Sequence, residues 1–418
     1  MKVDKCRVCE SRGLQTVLDL GVTALANSFI RPDSEVGKGI ASPGTEPKYP
    51  LRVVLCEQCG LVQIDEEVPP EILFKDYIYV SGTSDLIFKH AAWLANEFTT
   101  RFELKPGSLV VEAASNDGTV LKAFKQKGVK TLGVEPAENI AGRANKEGIE
   151  TVCDFFNAAT AEKVKAKYGP AKFFLARHVL AHVADLHGFV KGIRVLLDSD
   201  GVATVEMPYL LPFFDKLEFD TVYHEHLCYF SVRVLKTLFE RFGMELIDVQ
   251  EVAIHGGSIV VSSQLKGGPH KASASVQEAL SHEESRGLHK LALWKEYAAR
   301  VAQSKTSLLA ELAALKKAGK RVAGYGAPAK GNTLLAYCGI GTAQLDYIVD
   351  KSPYKQGFMT PGHHIPVYAP EKLVQDMPDV VLILAWNFAP EIVVQQAEYR
   401  KKGGKFLVPI PVAHYLDS

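Results

Sequence analysis

The chain has 418 residues, more than one ordinary hydrophobic core occupies, so two or three domains are expected. Its 48 basic residues balance 48 acidic ones, which excludes a global field that would recruit nucleic acid or an anionic membrane. No stretch approaches the roughly 18 apolar residues of a membrane span, and no apolar run follows the basic start MKVDKCRVCESRG, so a cytoplasmic protein acting on small molecules is expected. The sequence leaves the oligomeric state open, a monomer included.

Seven cysteines in so long a chain make no disulfide framework, and their spacing decides their use. Cys6-Arg-Val-Cys9 and Cys56-Glu-Gln-Cys59 are two CxxC knuckles, each able to turn both sulfurs toward one point. Four thiolates suit a closed tetrahedral zinc site, Zn(2+) then holding the fold with no open position for water. A redox role would need a thioredoxin-like strand and helix that neither pair has. Cys153, Cys228 and Cys338 read as ordinary thiols, with Cys228 inside a polar cluster. The zinc-binding module is expected over residues 1–75.

From Ser108 the pattern becomes βαβ: a buried strand from Leu109 to Glu112, a tight loop from Ala113 to Gly118, and a helix from Thr119 to Lys127. A second strand, Thr131 to Val134, ends in Glu135, where an acid at a strand end can accept from both ribose hydroxyls. The loop Ala114, Ser115, Asn116, Asp117, Gly118 has one glycine against the three of a dinucleotide fingerprint, because a pyrophosphate demands close backbone approach. S-adenosylmethionine has no phosphate, so a looser loop suffices. Asp154 and Phe155, after a short strand near Thr151, offer an acceptor and a ring to adenine. Further strands are expected at Lys172–Ala176, Val202–Glu206, Glu245–Val249 and Ser258–Gln264. This is an α/β fold with a central Rossmann-like sheet, expected over 76–254.

His178 and His182 follow the fourth strand at the carboxyl edge and, four apart, share a face if the segment is helical; they lack the glutamate of a metal pair and read as substrate-facing. The segment TVYHEHLCYFS, Thr221 to Ser231, is the densest group of proton-moving side chains in the chain. If it is extended, His224 and His226 share one face and Glu225 the other. The apolar stretch from Tyr209 to Phe219 is a candidate lid over the site, with core packing as the alternative.

Between Ala272 and Lys320 leucines at helical spacing predict connecting helices. A second βαβ unit follows, with a strand at Arg321–Gly324, a loop from Gly326 to Asn332 and a helix starting at Thr333; amides there plus Lys330 suit a diphosphate. Asp350, Lys351 and Ser352 end the next strand, Leu345–Val349, and His363 follows Pro361-Gly362, so both groups can edge one crevice. This C-terminal Rossmann-like domain is expected over 255–418.

Taken together, Cys6-x-x-Cys9 with LDLGVTALANSF (18–29), LCEQCGLVQ (55–63), YIYVSGTS (77–84), VEAASNDGT (111–119), GVEP (133–136), ARHVLAHVAD (176–185), YHEHLCYFS (223–231), HGGS (255–258), GAPAKGNTLL (326–335), DKSPYKQG (350–357) and PGHHIPV (361–367) make a chain-long pattern. It resembles the zinc-containing, S-adenosylmethionine-dependent C-methyltransferases that act on nucleotide-linked 4-keto-deoxysugars. Ala24, Val260 and His178 depart from the family's usual residues.

The resemblance implies a base, His226, that removes the proton beside the ketone, with Glu225 and Tyr223 next to it and Tyr79 and His182 near the sugar. It implies methyl-donor contacts from Glu112, the Ala114–Gly118 loop, Glu135, Pro136, Asp154, Phe155 and His178. It also implies a nucleotide-linked sugar held by Tyr77, His178, Lys330, Asn332, Asp350, Lys351, Ser352 and His363. A methyltransferase-fold protein with another small-molecule acceptor, a binding-only descendant and a nicotinamide oxidoreductase using the Gly324–Gly331 loop are the other readings.

Overall fold

The computed structural model describes residues 1–34, 46–73 and 85–416. Tyr77 and Tyr79 lie outside the described residues. Three sheets carry the fold, and each is assembled from segments whose apolar pattern matches its burial.

The N-terminal sheet is antiparallel: Leu14–Ala24, Lys48–Cys56 and Val62–Ile64 lie side by side, with Leu14 opposite Cys56. Its fourth strand, Cys228–Tyr229, comes from far along the chain, Val62 facing Tyr229 and Gln63 facing Cys228. The amide of Ile64 donates to Leu227 O at 3.0 Å, and that of Leu227 to Ala181 O at 2.6 Å. The segment before this strand is therefore stitched to the N-terminal module on one side and to the end of the central sheet on the other. Cys228 is buried in the strand.

The central sheet has seven strands in the order Met244–Val252, Ser258–Leu265, Leu197–Pro208, Ala171–Arg177, Leu109–Ala113, Lys130–Val134, Thr151–Val152. The last five run parallel, and the first two are antiparallel additions. Strand order reverses beside Leu109–Ala113, so its carboxyl end and that of Ala171–Arg177 open the crevice where ligands meet such sheets. Gly118 caps the helix Thr119–Lys125 at φ 74°, and a Cβ there would meet Ile149 at 2.8 Å, so glycine is required for the turn and for the approach.

Ser258–Leu265 pairs with both Met244–Val252 and Leu197–Pro208, so this strand, just past the expected division at 254, completes the central sheet. The expected lid is corrected. Leu210–Asp215 is a helix whose Phe213 and Phe214 stack against Tyr297 and Trp294 of the helix Leu291–Lys317, about 40 Å long. Trp294 is 1% exposed, so this is a core that joins two parts of the chain.

The C-terminal sheet has six strands, Val367–Tyr368, Ile348–Val349, Val322–Tyr325, Val380–Ile383, Lys405–Val408 and His414–Tyr415, parallel except for the last. The helix after its first strand begins at Ala329, not Thr333, with Pro328 at the N-cap. Proline is pre-shaped for a helix entrance. Lys330 and Asn332 thus sit in a helical turn, not in a loop.

Candidate active site

The four knuckle cysteines converge, with all sulfurs within 4.8 Å of one another. Cys6 Sγ lies 3.5 Å from Cys59 Sγ and Cys9 Sγ lies 3.4 Å from Cys56 Sγ. Zinc–sulfur bonds of about 2.3 Å in a tetrahedron put sulfurs roughly 3.8 Å apart, so the donor set fits Zn(2+) with small adjustment. Amides of Val8 and Cys9 point at Cys6 Sγ, each at 3.4 Å. His187 Nε2 donates to Val8 O at 2.8 Å and ties the knuckle to the central domain.

At the carboxyl edge of the central sheet, Glu135 binds the loop that precedes the first helix. Its carboxylate accepts from Asn116 N at 3.0 Å and from Ala137 N at 2.9 Å, on either side of Pro136. Ala114 and Asn116 are both left-handed at φ 51°, a conformation that costs non-glycine residues and clusters at ligand sites. Asp117 accepts from Thr119 N at 3.2 Å and Thr119 Oγ1 at 2.6 Å, so its carboxylate is tied to the first residue of the helix. Glu112 is buried, and burial pushes its carboxyl up to about 8; its Oε2 has no hydrogen-bond partner among the described residues. Ser115 is buried beside Gly133, where a Cβ would lie 2.4 Å from Ser115 Oγ. Asp154 accepts from Phe155 N at 2.8 Å and Thr160 Oγ1 at 3.1 Å, while Phe155 is 58% exposed at the rim.

His178 is left-handed at φ 50°, and its Nε2 meets Glu206 Oε1 at 2.9 Å. His182 sits in a single 3-10 turn, so the two histidines share no helical face. Glu206, fully buried, also takes His90 Nε2 at 2.8 Å and Arg177 Nε at 3.3 Å. With these three partners Glu206 stays ionised, the Arg177 charge leading the effects that hold its carboxyl below the usual range against burial. The sequence signal for Glu206 was an acid inside an apolar strand, which calls for buried partners.

The segment Tyr223–His226 is turned, not extended: the His226 amide donates to Tyr223 O at 2.9 Å. The turn separates the side chains that alternation would group. His224 Nε2 donates to Pro50 O at 3.1 Å, toward the zinc sheet, and its ring lies edge-on to Tyr49. Glu225 Oε1 accepts from Asn27 Nδ2 at 2.7 Å, and burial raises its pKa. His226 Nδ1 faces Thr221 O at 2.9 Å, and a carbonyl only accepts, so Nδ1 carries the proton. The Nε2 lone pair then accepts from Tyr223 Oη at 2.8 Å. The His182 ring is 4.9 Å from that of His226, centroid to centroid. Burial lowers His182 to about 4 and His226 well below its ordinary range, so both imidazoles are neutral at pH 7.

The C-terminal candidates fall into separate groups, with Asn332 and His363 lining one cavity. Asp350 accepts from Ala327 N and Ser352 N, both at 2.7 Å, so it folds the Gly326–Asn332 segment onto its neighbour. Lys330 Nζ stands 4.5 Å over the Trp386 ring, whose Nε1 donates to the buried Asp220 Oδ2 at 2.6 Å. Burial lowers the Lys330 pKa, while Asp220 and Glu218 act as its counter-charges. Asn332 Nδ2 donates to Ala26 O at 2.7 Å, and His363 lies beside Gly341. Lys351 is exposed. Asp220, Glu218 and Asn27 lay outside the sequence reading because their partners are distant in the chain.

Three family models match successive parts of the chain. Residues 6–74 match the family model described as "Putative zinc binding domain", 88–249 that of a "Methyltransferase domain", and 253–411 that of a "C-methyltransferase C-terminal domain". Over 416 residues the chain is 38% identical to the C-methyltransferase NovU of Streptomyces niveus, covering 100% of this chain and 97% of that protein. Among solved structures, an S-adenosylmethionine-dependent methyltransferase from Clostridium acetobutylicum is 11% identical, with a TM-score of 0.36 over 47% of this chain and 96% of that one. One from Anabaena variabilis is 15% identical, with a TM-score of 0.36 over 47% and 91%.

The chain belongs to the zinc-containing, S-adenosylmethionine-dependent C-methyltransferases. It is an enzyme that moves a methyl group from S-adenosylmethionine to carbon, and the nicotinamide reading falls away. No helix among the described residues is long and apolar enough to cross a membrane.

Proposed function

We propose that the enzyme methylates the carbon next to the ketone of a nucleotide-linked deoxysugar, through an enolate. A carbon beside a ketone becomes a nucleophile by losing a proton, and the charge settles on oxygen. The observation that carries this reading is the half-buried Tyr223–His226 pair, in which Thr221 O fixes the tautomer and leaves Nε2 to receive a proton. Tyr223 gives its hydroxyl proton to His226 Nε2 as it takes the one on the carbon, so the products are an enolate, a neutral phenol and an imidazolium. Neutral His182 beside the pair suits a donor to the enolate oxygen, an effect worth about 3 kcal/mol for one well-placed donor. Glu225, bonded to Asn27, orients the turn instead of reaching the carbon.

The methyl donor is held at the carboxyl edge by Glu135 and Pro136, the Ala114–Gly118 loop and Glu112, with Phe155 and Asp154 toward adenine and His178 facing the acceptor. The enolate carbon attacks the sulfonium methyl in line, which requires both ligands face to face with water excluded. His226→Asn, assayed by mass spectrometry with nucleotide-linked 4-keto sugars in deuterated water, is expected to lose both methylation and solvent exchange at that carbon by about 100-fold or more. Unchanged exchange in this variant would remove His226 as the base.

A further inference from the structure

A cavity of about 140 Å³ lies between the zinc-module sheet and the C-terminal sheet, with Thr23, Lys48, Tyr223, Asn332, Thr333 and His363 among its walls. One wall is thus the tyrosine whose hydroxyl holds His226. Two nitrogen bases line it: Lys48, exposed at the start of the strand Lys48–Cys56, and His363. After burial, the Lys48 charge is the largest influence lowering the His363 pKa. Lys48 makes no ion pair among the described residues. The acid two residues before it, Glu46, is committed to His364 Nε2 and to the Gly362 amide.

The Gly326–Asn332 segment offers an anion the opposite surroundings. Lys330 is already faced by Asp220 and Glu218, and the Ala327 amide already donates to the Asp350 carboxylate. A diphosphate placed there would meet three acidic side chains, and like charges at such range are strongly unfavourable. At the cavity it would meet an uncommitted ammonium, an imidazole N–H and the Thr23 hydroxyl.

We propose that Lys48 and His363 hold the diphosphate of the acceptor in this cavity, which makes the zinc-bearing module one wall of the acceptor site. The inference rests on the nucleotide-linked acceptor proposed above. It assigns the metal module a part in substrate recognition in addition to its fold, and it moves the anion site away from Lys330.

Calorimetric titration with thymidine diphosphate and uridine diphosphate tests it, alongside KM for a nucleotide-linked 4-keto sugar. Lys48→Met is expected to weaken diphosphate binding and raise KM ten- to a hundredfold, with the dissociation constant for S-adenosylmethionine unchanged as a check on folding. His363→Asn is expected to act in the same direction, and Lys48→Arg to keep binding within threefold. Full diphosphate affinity in Lys48→Met, or its loss in Lys330→Met alone, overturns the inference and leaves the proposed reaction standing. A wild-type enzyme that binds neither diphosphate and methylates no nucleotide-linked ketone overturns both.

Discussion

The central and C-terminal sheets solve the same local problem in the same way and then diverge. In each, an acid at the end of the second strand accepts from an amide of the loop after the first: Glu135 from Asn116 N at 3.0 Å, Asp350 from Ala327 N at 2.7 Å. The central loop keeps strain and unmet need, with Ala114 and Asn116 left-handed and Glu112 buried without a partner for one oxygen among the described residues. The C-terminal loop is relaxed and filled: its positive φ falls on Gly326, and Lys355 Nζ closes it onto Ala327 O at 2.8 Å. Topology alone therefore does not mark a ligand site; strain and unsatisfied polar groups distinguish a loop that awaits a molecule from one that packs.

The comparison breaks most severely if the third sheet, the zinc-holding one, is indifferent to metal. Chelation or Cys56→Ser is expected to unfold that sheet and abolish methylation, since apparent zinc binding energies of about 10–16 kcal/mol are folding energy; metal analysis and circular dichroism read it. Next, Glu135→Ala is expected to weaken S-adenosylmethionine binding roughly a hundredfold, hydrogen bonds to charged groups being worth about 1.5–3 kcal/mol, whereas Asp350→Ala lowers Tm and spares donor affinity. Equal donor losses in the two variants would erase the distinction.

A smaller effect follows from Glu112. Folded, it keeps its proton up to about pH 8, while the unfolded chain releases it near the ordinary carboxyl range, so stability falls as pH rises through that window. Binding of the cationic donor favours the carboxylate, so donor affinity is expected to rise by up to about tenfold per pH unit toward 8 and then level; Glu112→Gln should flatten both profiles in titrations across pH 6–9. The smallest effect sharpens the contrast of the loops. Ala114→Gly is expected to stabilise by up to about 1 kcal/mol by relieving a left-handed alanine, and Gly326→Ala to destabilise by about 1–2 kcal/mol, because its Cβ would lie 2.8 Å from Ala385 Cβ. Thermal melts decide both signs.

Much of the central sheet was legible because its strands and helices repeat on local periods: Leu109–Ala113, Lys130–Val134 and Ala171–Arg177 fall within two residues of where apolar runs put them. The cysteine quartet was legible because ligand spacing is a local signal as well. What was hidden depends on partners distant in sequence. Nothing local says that Cys228–Tyr229 joins a sheet begun at Leu14, or that Phe213 packs on Tyr297. The turn at Tyr223–His226 was hidden because alternation describes only an extended chain, so His224 was grouped with His226 although it anchors on Pro50. The start of the helix at Ala329 was hidden by glycine and proline, which read as loop but serve here as a helix entrance.

The strand Cys228–Tyr229 also sets an order of assembly. His224 and its partner Pro50 are 174 residues apart, and Asn27 and Glu225 are 198 apart, so the turn bearing His226 closes only after the chain has paid the entropy of two very long loops. Contacts of such separation form late in folding. The central sheet, built from nearer neighbours, can be complete while the His226 turn is still open.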